Sequence, residues 1–75
     1  MDNIEFAKQN LGAEVILHII VPIIGIIIGH NNDSIILGFT NDRGWTGLND
    51  NDIILVHSPI IKSCWYVDKE DIRKL

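Results

Sequence analysis

The sequence contains few cysteines and few basic residues. It contains one cysteine in 75 residues, so the chain cannot form an internal disulfide, and a lone thiol suits a reducing compartment. Basic residues are also scarce, with six lysines and arginines against ten aspartates and glutamates. Because nucleic-acid binding relies on neutralising phosphates, this balance argues against a nucleic-acid partner. A chain of this length encloses one core, so we expect a single small domain.

A long hydrophobic run is also missing, although one stretch comes close. Residues 15–29 carry no formal charge and include eleven valines, isoleucines or leucines. A helix of this length would reach about 22 Å, short of the roughly 30 Å membrane core, and His18 and Pro22 interrupt it. The spacing of Gly25 and Gly29 matches a helix-dimer motif of membranes, so an inserted helix over 15–29 stays an alternative. The first residues show no secretory pattern, and we therefore expect a cytoplasmic protein without a membrane partner.

The first twelve residues predict a short helix. Asp2 followed three residues later by Glu5 is a capping-box pattern, and apolar residues recur at helical spacing as far as Leu11. Gly12 then supplies a left-handed cap, because glycine adopts positive φ without strain. We therefore predict a helix over residues 3–11.

After the helix the composition shifts to β-branched residues, whose restricted χ1 angles suit a pleated sheet. Pro22 cannot donate to a central ladder, so it divides the apolar run into two strands. A turn over residues 30–33, made of residues that tolerate positive φ, and a long polar loop over 41–52 separate the later strands. The five predicted strands cover residues 14–21, 23–29, 34–40, 53–58 and 62–67.

The chain is predicted to close on one helical turn. Asp68 and Asp71 occupy the two acidic positions of a capping box. Val67 and Ile72 occupy the two positions of a hydrophobic staple around the same turn. A short helical turn therefore ends the predicted fold.

The predicted strands are short and numerous for the length of the chain. Five short antiparallel strands most simply close into a barrel, since closure removes edges that would otherwise aggregate. We predict a mainly β fold, a small five-stranded SH3-like barrel over residues 13–75 that follows the N-terminal helix within residues 1–12.

Three dipeptides add a resemblance to a known family. The chain has a Gly-Trp pair after the third predicted strand, an aromatic pair near its end and an Asp-aliphatic pair in the closing turn: Gly44-Trp45, Trp65-Tyr66 and Asp71-Ile72. In these motifs the chain from residue 12 onward resembles small SH3-like modules of the mind-bomb type. The resemblance implies an SH3-like fold for this part of the chain.

Aromatic residues near the polar loop are the candidate binding residues. Trp45 lies in the loop, where a large ring needs a pocket or a partner, so we expect a surface role. Trp65 alternates with apolar positions of the fifth predicted strand, which favours core packing, and Tyr66 lies on the opposite face. Together with the loop residues Asp42 and Arg43, these aromatic side chains form the predicted protein-binding surface.

The sequence offers little for metal or covalent chemistry. Its soft metal ligands are His18, His30, His57 and Cys64, and no two lie two to four residues apart, so no metal site and no cofactor is predicted. His57 and Cys64 flank a turn, as a thiolate and its base would, but catalysis also needs an oriented third group and a cleft. The acidic loop lacks the glycine and glutamate of a calcium loop and is interpreted as a solvated turn. We therefore predict no enzymatic activity.

Isoleucine is unusually frequent, with sixteen copies in the chain. The apolar residues of the first predicted strand occupy both faces, with Val15 on one and Ile16 and Ile20 on the other. One barrel interior cannot bury both faces, so a second cover is needed: the N-terminal helix, another copy of the chain or a different protein. We expect a homo-oligomer.

These observations favour a non-enzymatic protein-binding module. The module self-associates through apolar strand faces and recognises another protein through Trp45 and its acidic loop, which suits a basic surface. Three alternatives stay open: a small phage- or virus-encoded inhibitor of a host enzyme, an oligomer that binds a small molecule at an aromatic interface, and the membrane protein with residues 15–29 inserted.

Overall fold

The structure, a computed structural model, describes residues 1–19, 21–45 and 47–75. Within these residues the chain forms an antiparallel six-stranded sheet, one α-helix and one 3-10 turn. The elements are α1 (Asn3–Gln9), β1 (Glu14–His18), β2 (Pro22–His30), β3 (Ile35–Phe39), β4 (Ile53–Ile54), β5 (Ser63–Val67), the 3-10 turn (Lys69–Asp71) and β6 (Ile72–Lys74).

The prediction of a mainly β fold with a short N-terminal helix is confirmed. The sheet has the order β5-β3-β2-β1-β6, with β4 paired to β2 outside this path. In the described residues the end strands β5 and β6 do not pair with each other, so the sheet is open. It therefore differs from the predicted closed barrel of five strands: a sixth strand extends the β1 edge, and the ladder stops there.

The apolar run folds into a hairpin, as the proline predicted. Pro22 is the first residue of β2, where its missing N–H costs no central ladder bond, and it lies opposite His18. The predicted first strand ended at residue 21. In the structure β1 ends at His18, which lies opposite Pro22, the first residue of β2. Ile19 and Val21 between the strands are each 58% exposed. The predicted orientation of Ile20 lies outside the described residues.

The helix covers one face of the sheet, which we call the inner face. Asp2 is the N-cap, and the backbone N–H of Glu5 donates to its carboxylate at 2.8 Å, which is one half of the predicted capping box. Phe6 packs on the core from α1, whereas Leu11, predicted on the apolar side, is 41% exposed because the helix ends at Gln9. The buried core of this face consists of Ala7, Val15, Leu17, Ile27, Ile35, Leu37, Phe39, Val67 and Ile72.

The opposite, outer face is covered in part by the chain's own residues 53–61. A second apolar cluster lies there, made of buried Ile28, Ile36 and Cys64 with half-buried Ile26, Ile54, Val56, Ile61 and Tyr66. The backbone N–H groups of Leu55 and Val56 both donate to the Ile28 carbonyl, at 2.8 and 3.0 Å. Because two consecutive donors share one acceptor, the ladder stops there, and the predicted strand over 53–58 shrinks to two residues.

Two glycines of β2 allow close approaches that a side chain would block. The register between β2 and β3 shifts between Ile27 and Gly29, which marks a bulge. A Cβ on Gly29 would collide with the Ile53 carbonyl, so this glycine lets β4 approach. A Cβ on Gly25 would lie 2.7 Å from the Leu37 side chain, so the absence of a side chain at Gly25 avoids a clash in the core.

The turn after β2 forms at the predicted place but by a different mechanism. The Asn31 carboxamide oxygen accepts from the backbone N–H groups of Asp33 at 2.8 Å and Ser34 at 2.6 Å. Among the described residues, only Gly12 and Gly44 have positive φ. The turn therefore depends on side-chain hydrogen bonds rather than on a left-handed asparagine.

The C-terminal helical turn is present, and a strand follows it. The backbone N–H of Asp68 donates to the Asp71 carboxylate at 3.3 Å, which is one half of the predicted capping box. Ile72 then lies opposite Leu17 in the first pairing between β6 and β1, and it is buried. Three residues are too few to show a sequence period, so the sequence did not predict β6.

Among residues 1–19, 21–45 and 47–75 no helix is long and apolar enough to cross a membrane. The predicted alternative of one inserted helix over residues 15–29 is wrong, because β1 and β2 occupy that stretch.

Candidate functional site

The polar loop between β3 and β4 begins with a turn that its own residues stabilise. The Asp42 carboxylate accepts from the backbone N–H of Gly44 at 2.7 Å, and Gly44 has φ of +76°. The Ser63 hydroxyl donates to the Asn41 carbonyl at 2.8 Å and accepts from the Arg43 backbone N–H at 3.2 Å. These bonds attach the start of the loop to β5.

A further backbone bond brings the loop tryptophan to the same strand. The N–H of Cys64 donates to the Trp45 carbonyl at 3.1 Å. The indole of Trp45 then meets the Tyr66 ring edge to face, with centroids 5.0 Å apart and planes at 80°. Since Trp45 is 37% exposed, it is supported on one side and open to solvent on the other.

An open cleft lies beside this aromatic pair. The cleft has a volume of about 390 Å³ and is lined by Arg43, Trp45, Trp65 and Tyr66. Its walls are three aromatic rings and one guanidinium group. We call it the aromatic cleft.

Phe39 supports the aromatic cleft from the core. It is buried and meets Trp65 edge to face, with centroids 5.3 Å apart and planes at 70°. The guanidinium carbon of Arg43 lies 5.1 Å from the centre of the same ring, in cation–π geometry. In the described part of the chain Arg43 has no carboxylate partner within ion-pair distance. Its charge is therefore held in place and available to a ligand.

The Tyr66 hydroxyl anchors the second half of the loop. It lies within hydrogen-bond distance of the Gly47 carbonyl and the Asp52 carboxylate, and it accepts from the Asn49 side-chain amide at 3.2 Å. The same Asp52 carboxylate accepts from the backbone N–H of Asn49 at 2.7 Å. The loop was predicted to be a solvated turn, but Asp52 is half-buried and holds it to the sheet.

These contacts affect the ionisation of Tyr66. Burial, the hydrogen bond to Asp52 and the negative charge of that carboxylate raise the pKa of Tyr66 from 10.0 to about 12. The folded state therefore favours the protonated phenol. This contribution to stability is present below pH 10 and is lost as the pH rises through 12.

We expect an alkaline titration to show this effect directly. Tyr66 is the only tyrosine, so its ultraviolet tyrosinate signal is unambiguous. The folded chain should titrate near pH 12, and the chain in denaturant near pH 10. Asp52→Asn removes the charge and should lower the midpoint of the folded chain. A folded midpoint equal to the denatured one would contradict the described contacts.

The remaining candidate for covalent chemistry has the wrong environment for a nucleophile. Cys64 is buried, and burial together with the negative charge of Asp52 raises the pKa of its thiol. A thiolate nucleophile needs a lowered pKa and access to its substrate. His57, which flanks the same turn in the sequence, is exposed. Across residues 1–19, 21–45 and 47–75 no group of three His, Cys, Asp or Glu side chains is placed to hold a metal.

The structure brings together four of the five predicted site residues. Arg43, Trp45, Trp65 and Tyr66 line the aromatic cleft, whereas Asp42 shapes the loop and does not line it. Trp65 combines both predicted roles, because it packs on the core and also faces the cleft.

Two supporting residues were not predicted from the sequence. Phe39 lies in the third predicted strand, over residues 34–40, and no sequence pattern showed that its ring would contact Trp65 and Arg43. Asp52 was grouped with the exposed carboxylates, and its position directly before an apolar pair was the signal that it adjoins a strand.

Comparison with known proteins found no relatives: no family model matches the chain, and no curated protein or solved structure matches it.

Proposed function

We propose that this chain is a non-enzymatic protein-binding module that recognises its partner through the aromatic cleft. The observation that carries the proposal is that two indoles, a phenol and a guanidinium without an ion-pair partner among the described residues meet at one open surface. Trp, Tyr and Arg are the residues that dominate binding energy in protein interfaces. Rigid rings also lose little conformational entropy on binding.

The shape of the cleft favours a protein segment as ligand. A small-molecule site normally encloses most of its ligand, whereas this cleft is shallow and open to solvent. The same loop carries the exposed acidic residues Asp42 and Asp50. A partner segment with an apolar side chain and a carboxylate for Arg43, and with basic residues facing the loop carboxylates, would complement this surface.

An SH3-like architecture is part of the proposal, and the strand order supports it. Strands β1, β2 and β3 are consecutive antiparallel neighbours, and β5 returns to β3. A 3-10 turn then leads into β6, which returns to β1. In such a module an aromatic-lined groove beside a loop is a typical peptide-binding surface.

Substitution of the loop tryptophan tests the function. A peptide library panned against the wild-type chain should yield binders whose affinity falls at least about tenfold with Trp45→Ala. The change removes the exposed wall of the cleft and leaves the sheet intact. Leu11→Ala, a truncation of an exposed apolar residue outside the cleft, should leave affinity unchanged. If the selected peptides bind Trp45→Ala as tightly as the wild-type chain, the aromatic cleft is not the recognition surface.

We also propose self-association as a second activity, because large apolar side chains stay uncovered. The outer side of the sheet and the β1–β2 connection expose several, each by 57 or 58%: Ile19, Val21, Ile24 and Ile60. Ile24 and Ile60 line one groove, and exposed apolar patches mark interaction sites. Sedimentation of the wild-type chain at micromolar concentration should show a dimer, and a monomer alone would contradict this activity.

A further inference from the structure

The uncovered part of the outer face lies on β6, β1 and β2. In the antiparallel register Ile16 of β1 lies opposite Arg73 of β6 on one side and Ile24 of β2 on the other. Glu14 lies two residues from Ile16 along β1 and opposite Ile26. Directly opposed residues project from the same side of a sheet, so all five side chains share this face.

An apolar groove continues the face towards residues 53–61. It has a volume of about 270 Å³ and lies between Ile24 and Ile26 of β2 and Ile60 of the covering segment. Gly38 lines the groove and contributes no side chain to fill it. The surface can therefore receive a side chain from outside as well as present its own.

Two opposite charges border the apolar centre. Glu14 and Arg73 are both exposed, and in the described residues neither forms an ion pair within the chain. Both lie next to Ile16 on this face. Glu14 is two residues away along β1, and Arg73 lies directly opposite on β6. The face thus carries one negative and one positive charge on two sides of one isoleucine.

We propose that this face binds a second copy of the same chain across a two-fold axis. An axis in the plane of the interface that passes close to Ile16 and Ile24 exchanges the positions of Glu14 and Arg73. Each copy then sets its Glu14 against Arg73 of the partner subunit, and the isoleucines pack together at the centre. A surface with one charge of each sign, placed symmetrically about its apolar centre, is self-complementary.

Charge exchange between two variants tests this arrangement, which rests on the proposed self-association. Glu14→Arg places two like charges in each contact of its own dimer, and so does Arg73→Glu. Each variant alone should dimerise at least about tenfold more weakly than wild type. An equimolar mixture of the two restores opposite charges at both contacts. It should dimerise within about threefold of wild type, by the same arithmetic of affinities.

Matched controls place the same charge changes elsewhere. Glu5→Arg lies on α1, over the inner face, and Lys74→Glu lies on β6 next to Arg73 but opposite Val15, on the inner face. Both should dimerise as wild type does, alone and mixed. Thermal unfolding of all four variants confirms that the fold is intact, as expected for exposed positions.

The possible outcomes separate the two proposals. A wild-type chain that stays monomeric contradicts self-association and this interface with it. A wild-type dimer that both charge variants leave unchanged keeps self-association and overturns this interface. Weakened variants that do not recover when mixed overturn the two-fold pairing of Glu14 with Arg73 of the partner subunit.

Discussion

Gly29→Ala is expected to lower the stability of the chain by about 3 kcal/mol, near the upper end for overpacking in a closely packed site. A Cβ at this position collides with the backbone carbonyl of Ile53, which cannot rotate away as a side chain would. To admit the methyl group, β4 must leave β2, and residues 53–61 must lift from the outer face. For a domain of this size the loss corresponds to a fall in Tm of more than about 10 °C.

Labelling of the single cysteine shows which part of the fold Gly29→Ala opens. Cys64 is buried in the outer cluster with Ile28 and Ile36, so its thiol reacts slowly in the native state. Gly29→Ala should accelerate thiol labelling under native conditions because the cover opens. Gly47→Ala is the matched control, since its Cβ would make only ordinary contacts of 3.5 Å with the Trp45 ring. Equal stability of the two variants would contradict the close approach of β4.

The hairpin of the apolar run could be predicted because local chemistry determines it. Pro22 can begin a strand but cannot lie within a central one, and β-branched residues on either side favour sheet. The cover of the outer face could not be predicted in this way. It depends on the approach of Ile53 to Gly29, a contact between residues far apart in the sequence that no local pattern encodes. The two-sided strands indicated that a cover was needed, and the N-terminal helix was one candidate, but not that residues 53–61 supply part of the cover of the outer face.

In the candidate site, too, local sequence predicted some features, and others depend on the fold. Trp45 could be selected from the sequence because a large ring in a polar loop needs a contact. The proximity of Trp65 and Tyr66 to it follows from a backbone bond between Cys64 and Trp45, which sequence spacing does not show. The position of Asp52 before an apolar pair indicates that it adjoins a strand, but only the fold places the Tyr66 hydroxyl beside it.

Phe39 connects the core to the aromatic cleft, and its substitution should affect both. Phe39→Ala removes a fully buried ring and should cost about 3–5 kcal/mol, enough to unfold a small domain of ordinary stability. Phe39→Leu retains most of the apolar volume, so its cost should stay below about 1.5 kcal/mol. It nevertheless removes the ring that Trp65 meets edge to face and that Arg43 overlies.

The leucine variant therefore separates stability from the geometry of the cleft. In a Trp45→Phe background Trp65 is the only tryptophan, and acrylamide quenching of its fluorescence measures its exposure. Phe39→Leu should increase this quenching with a small loss of Tm, because Trp65 loses its aromatic support. Ile35→Val, a buried truncation at the other end of β3, should lower Tm without changing the quenching. If Phe39→Leu leaves Trp65 as protected as before, the ring does not hold the wall of the cleft, and the cleft is preorganised by the loop bonds alone.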